Sequence, residues 1–144
     1  PPSLSAEEEA ARLATLDSYK IMDTDEEEVF DSLTQRLTKD LGVDIGIVSL
    51  VDHERQWFKS HTGLPVSQTD RKDAFCAWTI LDKPEGEPKV LVVEDTLQDA
   101  RFAGNPLVQD FPNIRFYAGV QLVAPNNRRI GTLCAIGREP GTLT

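Results

Sequence analysis

Two cysteines, two histidines and a set of aromatic side chains hold most of the reactive and ligand-binding potential of this 144-residue chain. Cys76 and Cys134 both lie in apolar sequence, and neither belongs to a CxxC pair. A thiol becomes a good nucleophile when a neighbouring cation or histidine draws its pKa down. No histidine or basic residue adjoins Cys76. It therefore reads as a small apolar residue on a helix packed against a sheet, with a redox or chromophore-attachment thiol as the competing role. Cys134, between Leu133 and Ala135, reads as core. His53 and His61 are too few for a metal site, which needs three or four converging ligands. They read as exposed ends of a hairpin.

Trp57, Phe58, Phe75, Trp78, Phe102, Phe116 and Tyr117 supply aromatic surface for a plain core or for a pocket, since ligand sites are mostly apolar with a few polar groups. The polar candidates are Asp95, Arg101, Arg115 and Gln121. Arg101, near Asp95 and Asp99, reads as an ion pair that fixes a loop. Arg115 and Gln121 share a strand face with Tyr117 by the period of two. If that face looks into a cavity, they are its polar hooks. The chain has no phosphate loop, Rossmann glycine set, nucleophile elbow or metalloprotease motif. Function must then be sought in a pocket rather than in a reaction.

The elements that position these residues follow from pattern. Ser5 with Glu8 makes a capping box for a first helix ending near Ser18, with Ala10, Leu13, Ala14 and Leu16 close to one stripe. Residues 19–23 read as extended. Thr24 with Glu27 suggests a second capping box. Val29, Phe30, Leu33, Leu37 and Leu41 give the second helix an apolar face, and Gly42 ends it. A β-hairpin is expected from 43–52 and 56–62, then a loop over 63–70 and a short helix over 72–81. A turn-rich loop spans 84–88, and a strand follows at 90–93. Asn105 or Gly104 caps a brief helix with Pro106 in its first position. Strands at 115–124 and 129–137 close the order. Hairpins at both ends favour an antiparallel sheet of five to six strands. Two N-terminal helices cover one face, and a short helix with loops covers the other. This is an α+β layered domain.

Net charge is -9 and the pI is near 4.6, which disfavours nucleic acid as a partner. The acidic runs at 7–9 and 23–28 suit the first turns of helices. There is no apolar run long enough for a membrane helix and no visible signal peptide. Two reduced thiols then fit a cytoplasmic protein. The chain starts Pro1-Pro2-Ser3, and Met22 is its only methionine, so it reads as a piece of a longer protein.

The segments Arg12–Leu16, Tyr19, Ile21–Thr24, Phe30-Asp31, Ile47–Asp52, Gln56–Lys59, Gly63-Leu64, Phe75-Cys76 and above all Val93–Ile136 resemble GAF domains, of the bacterial sensory type placed ahead of histidine kinases and diguanylate cyclases. The resemblance implies a GAF-like fold, related to PAS, over residues 12–137. Residues 1–11 would hold a linker and the helix start, and 138–144 a linker to an output domain. It implies a non-catalytic sensor in signal transduction, of the kind used in two-component systems, that binds a small molecule. It further implies a homodimer through the N-terminal helices and an output domain in the same chain. The residues so placed for ligand binding are Phe75, Cys76, Trp78, Asp95, Phe102, Arg115, Tyr117 and Gln121, in a cavity between the sheet and residues 70–112. No cofactor is specified: Trp78 stands where relatives often have the histidine that follows the Phe-Cys pair, so the bilin-binding Cys-His pair is missing. Nor can the cyclic-nucleotide set be placed. Gln121 replaces a frequent proline and Gly137 a frequent acidic residue, which leaves the course of the last strand open. The alternatives are a dimerisation module without ligand, or a cysteine-based redox sensor or methionine sulfoxide reductase.

Overall fold

The structure is a computed structural model that describes residues 4–81 and 89–142. Six strands form one antiparallel sheet: β1 (Ile45–Val51), β2 (Arg55–Thr62), β3 (Gln68–Asp70), β4 (Val90–Val93), β5 (Phe116–Val123) and β6 (Arg129–Gly137). Their spatial order is β3-β2-β1-β6-β5-β4, so the first hairpin and the last meet through β1 and β6 at the centre. Helices α1 (Ala6–Ser18) and α2 (Glu28–Leu41) pack on one face. The short helices α3 (Phe75–Thr79) and α4 (Pro106–Gln109) lie against the other. Two 3-10 turns, Arg71–Asp73 and Thr96–Gln98, precede α3 and follow β4. The last strand pairs with β5 from Arg129 to Gly137, with a register shift that leaves Ile130 as an extra residue, and with β1 from Gly131 to Ile136. The expected loop at 84–88 falls outside the described residues.

Local chemistry sets most of the boundaries. Ser5 caps α1 by accepting from the Glu8 N–H at 3.2 Å, and Gly42 ends α2 at φ +65°. Asn105 caps α4 by accepting from the Leu107 N–H at 2.8 Å, with Pro106 first in the helix. Thr24, however, does not cap α2. That helix starts at Glu28 without a side-chain cap, and the Thr24 hydroxyl donates back to Ile21 O at 2.5 Å. Residues 19–23 are a turn rather than extended, with Lys20 at φ 49° and Asp23 at φ 60°. The expected loop over 63–70 contains edge strand β3, which pairs with the start of β2. The expected helix over 72–81 is a 3-10 turn and α3, separated by an extended Ala74.

The helices seat on the sheet differently from their hydrophobic stripes. On α1 the buried residues are Arg12 and Leu16, while Ala10 and Ala14 are exposed. Arg12 tolerates burial because Glu9 pairs with it and Val51 O accepts from its Nη1 at 2.5 Å. On α2 only Thr34 is buried, and Val29, Leu33 and Leu41 stay exposed. The cause is a close approach over a glycine. A Cβ on Gly46 would come within 2.7 Å of Thr34 O, so only a small, hydroxyl-bearing helix face fits against β1. The Thr34 hydroxyl is matched by Ser60 Oγ at 2.9 Å and Thr62 Oγ1 at 2.8 Å.

A β-bulge between Val48 and Ser49 leaves Lys59 as the extra residue of β2. Its fully buried ammonium is held by Thr24 Oγ1 at 2.7 Å, Asp25 O at 2.6 Å and Glu27 at 2.7 Å. This ties the α1–α2 connection to the sheet. The two long helices leave part of their face open, where Val90, Val92 and Val120 are exposed.

Candidate functional site

The far face of the sheet, away from α1 and α2, gathers six of the eight residues proposed for binding. Phe75 opens α3 and stacks on Phe102, with ring centroids 4.1 Å apart and planes at 9°. Trp78 meets Phe102 edge-on at 5.7 Å, and the Arg101 guanidinium lies over both rings. Tyr117 reaches the same cluster, 5.1 Å from Phe75. Its hydroxyl lies 2.7 Å from Thr79 Oγ1 and 3.5 Å from Cys76 Sγ. Gln121 shares the face and donates from Nε2 to Thr79 O and Leu81 O, both at 2.9 Å, pinning the end of α3. Phe102 and Tyr117 have no exposed surface, and Phe75 and Cys76 have almost none. Here the face is packed, not hollow.

Asp95 and Arg115 stand apart from that cluster. They pair with each other at 3.1 Å, and Asp95 also accepts from the Leu97 N–H to cap the second 3-10 turn. Arg101 pairs with Asp99, at 2.7 Å, rather than with Asp95. Trp57 and Phe58 are neighbours in sequence, but Trp57 packs with Leu16 and Leu50 under α1 while Phe58 joins the far-face core. His53 is exposed. His61 is half-buried, its Nδ1 2.6 Å from Leu64 O. Among the described residues no group of three or more His, Cys, Asp or Glu is placed to hold a metal ion.

A concavity of about 140 Å³ opens further along the same face. Ile45 and Ile47 of β1, Ile136 of β6 and Phe58 of β2 form its floor. Leu64, Val66 and β3 make one wall, and Leu107, Phe111, Pro112 and Ile114 make the other. The polar groups at its edge are already engaged: Gln56 accepts from Ser49 at 3.0 Å and donates to Thr69 at 2.5 Å. The space suits a compact apolar group and is too small for a nucleotide, since drug-sized ligands occupy roughly 300 Å³ or more. Of these residues only Phe58 stood out in the sequence as a pocket candidate. The signal was there as apolar residues inside apparent loops, Leu64-Pro65-Val66 and Phe111-Pro112.

A larger depression, about 470 Å³, lies between the end of α2 and residues 137–142. Three carboxylates (Asp40, Asp44, Glu139) and one arginine, Arg138, line it, and the Arg138 N–H is bound by Asp44 at 2.8 Å. This is a solvated rim with no side chains converging on a ligand.

Charge connects the apolar concavity to the opposite face. Its β3 wall runs directly into the first 3-10 turn, where Arg71 reaches across to Glu9 of α1. Arg71 also donates to Asp52 O at 3.0 Å. Burial alone would raise the Glu9 pKa, but hydrogen bonds from Arg71 and Arg12 outweigh it and hold the carboxyl at about 2.

Cys76 reaches from α3 to β6. Thr132 Oγ1 donates to Cys76 Sγ at 3.0 Å. A hydrogen bond from Cys134, with further ones from Thr132, Tyr117 and Ser49, draws Cys76 down to about 7 against the effect of burial. Cys134 is pushed well up by the same bond to Cys76 and by burial. The donors to Cys76 come from three strands, which no local reading of the sequence could supply.

The chain matches the GAF domain family model over residues 25–144. It is 40% identical over 134 residues to a cyclic di-GMP phosphodiesterase of Pseudomonas aeruginosa, a match covering 93% of this chain and 22% of that protein. The chain thus spans under a quarter of the length of this curated relative. Among solved structures it is similar to the GAF domain of a phosphoenolpyruvate-protein phosphotransferase from Coxiella burnetii. There the TM-score is 0.62 at 13% identity, over 98% of this chain and 84% of that one. It is also similar to a free methionine-R-sulfoxide reductase from Neisseria meningitidis, solved with its substrate. That match has a TM-score of 0.60 at 18% identity, over 99% of this chain and 81% of that one. At such identities these two structures speak for the fold alone.

Proposed function

The chain belongs to the GAF domain family as a sensory module, and we propose that it receives a compact, largely apolar small molecule on the far face of its sheet and relays the event to an attached output domain. One observation carries this reading: the apolar concavity shares its β3 wall with the turn that holds Arg71 against Glu9 of α1. A ligand that displaces β3 by a fraction of an ångström acts on that ion pair, and through it on α1. Two packings of α1 then differ in ligand affinity, and binding shifts their populations.

The relative of known activity makes a cyclic di-GMP phosphodiesterase the output we propose, in place of a kinase or cyclase. Dimerisation is proposed through α2, whose Val29, Leu33 and Leu41 form an exposed row at a spacing of four and eight residues. No described helix is long and apolar enough to cross a membrane, and we assign the module to the cytoplasm.

Thermal melts against a panel of small apolar acids, amines and aromatic compounds test the binding step. At least one compound raises the melting temperature of the wild type, and Val66→Trp, which fills the concavity from its rim, abolishes that rise. A panel without effect on the wild type, or an effect that survives Val66→Trp, overturns the assignment.

A further inference from the structure

Gln56 and Thr69 form a polar corner in the apolar concavity. We propose that this corner selects one chemical class of ligand: a neutral molecule with a compact apolar body and a hydrogen-bond acceptor at one end, such as a small ketone or ester. The class presupposes the concavity as the receiving site proposed above, and it adds what the occupant must carry.

Register places the two side chains. Gln56 and Thr69 are cross-strand partners in the β2–β3 pairing, so both project from the same face of the sheet. Phe58, two residues beyond Gln56, shares that face and floors the concavity. Gln68 borders the space too, but it stands opposite Trp57, which packs under α1. Its side chain is therefore on the helix side, where Arg55 donates to its Oε1 at 2.7 Å. The other lining residues are apolar, and none of those described is charged.

Counting hydrogens sets the chemistry. Gln56 is only 5% exposed. Its Oε1 accepts from Ser49, and Nε2 gives one hydrogen to Thr69 Oγ1. An amide nitrogen carries two hydrogens and a hydroxyl carries one. The second Nε2 hydrogen and the Thr69 hydroxyl hydrogen have no acceptor among the described residues. A buried donor left unpaired is rarer than an acceptor with a spare lone pair. The corner therefore calls for an acceptor. A carboxylate would accept both hydrogens, but no lysine or arginine lines the concavity to offset its charge, and an unpaired buried charge is costly. An N–H or ammonium head would face hydrogens already in excess. A neutral carbonyl oxygen, with two lone pairs, meets both donors.

Three five-membered rings separate the cases: cyclopentanone carries an acceptor, pyrrole an N–H donor, and cyclopentene neither. Each is titrated into the methyl-labelled chain, and Kd is read from the Ile47 and Leu64 methyl shifts. Cyclopentanone should bind about three- to tenfold more tightly than cyclopentene, the return on a net neutral hydrogen bond, and pyrrole no more tightly than cyclopentene. Thr69→Val keeps the side-chain shape at a half-buried edge position and removes the hydroxyl. It should bring cyclopentanone to within about twofold of cyclopentene, and Thr69→Ser should keep the wild-type preference. Equal binding of cyclopentanone and cyclopentene, with both lost in Val66→Trp, overturns the acceptor class and leaves the receiving site standing. Tightest binding by pyrrole does the same, as does a preference that persists in Thr69→Val. If none of the three moves these methyls, the acceptor class falls, and the thermal melts decide whether the site falls with it.

Discussion

Replacing Glu9 with glutamine removes the charge that holds α1 to the far side of the sheet. Glu9 binds two arginines at once: Arg12, buried under α1, and Arg71, on the turn before α3. Its pKa falls from an ordinary 4.5 to about 2. A drop of about 2.5 units corresponds to ~3.4 kcal/mol at 1.36 kcal/mol per unit. Solvent reaches this carboxylate, so roughly half of that, ~1.5 kcal/mol, is a fairer figure. A depressed carboxyl stabilises the fold above its unfolded pKa and loses that contribution as pH falls through the folded one. The window is therefore between about pH 4.5 and pH 2. Urea unfolding at a series of pH values measures it. At pH 7 the variant is less stable than the wild type by about 1.5 kcal/mol, and the two curves converge toward pH 2. Curves that stay parallel at every pH would show that the Glu9 charge does not couple α1 to Arg71.

Other perturbations probe the packing that presents the site. Phe102→Ala empties the stack against Phe75 and should cost about 3–5 kcal/mol in denaturant unfolding. Thr34→Val removes the hydroxyl shared with Ser60 and Thr62, though Ser60 keeps its bond to Asp31, and should cost about 0.5–1.5 kcal/mol by the same measure. Gly63→Ala places a Cβ 2.0 Å from Asp44 O at φ +82°, and should cost more than about 1 kcal/mol, seen as a lowered midpoint at unchanged m-value.

Local signals in the sequence located the helix ends at Ser5 and Gly42 and both hairpins, and narrowed the α4 cap to Gly104 or Asn105, because each depends on residues within a few positions. Seating could not be read that way. α2 presents Thr34 rather than its leucines because Gly46, on another element, lets the helix approach closely. α1 buries Arg12 because Glu9 and Val51 O satisfy it. Thr24 looks like a cap in sequence but serves Lys59, 35 residues away. The far-face cluster was legible in its membership, since Phe75, Phe102, Tyr117 and Gln121 were singled out and do meet. Its packed interior was not, because Phe75 and Phe102 stack only through tertiary contact. β3 was missed because a three-residue edge strand has no periodicity to detect.

Methyl NMR of the isotope-labelled chain, titrated with whichever panel compound raises the melting temperature, reads both ends of the proposed relay in one spectrum. Shifts should appear at Ile45, Ile47, Leu64 and Ile136 around the concavity and also at Leu13 and Leu16 of α1. In Arg71→Ala the first set should remain and the second vanish. Shifts confined to the rim at 137–142, or α1 signals that still move without Arg71, would contradict the account.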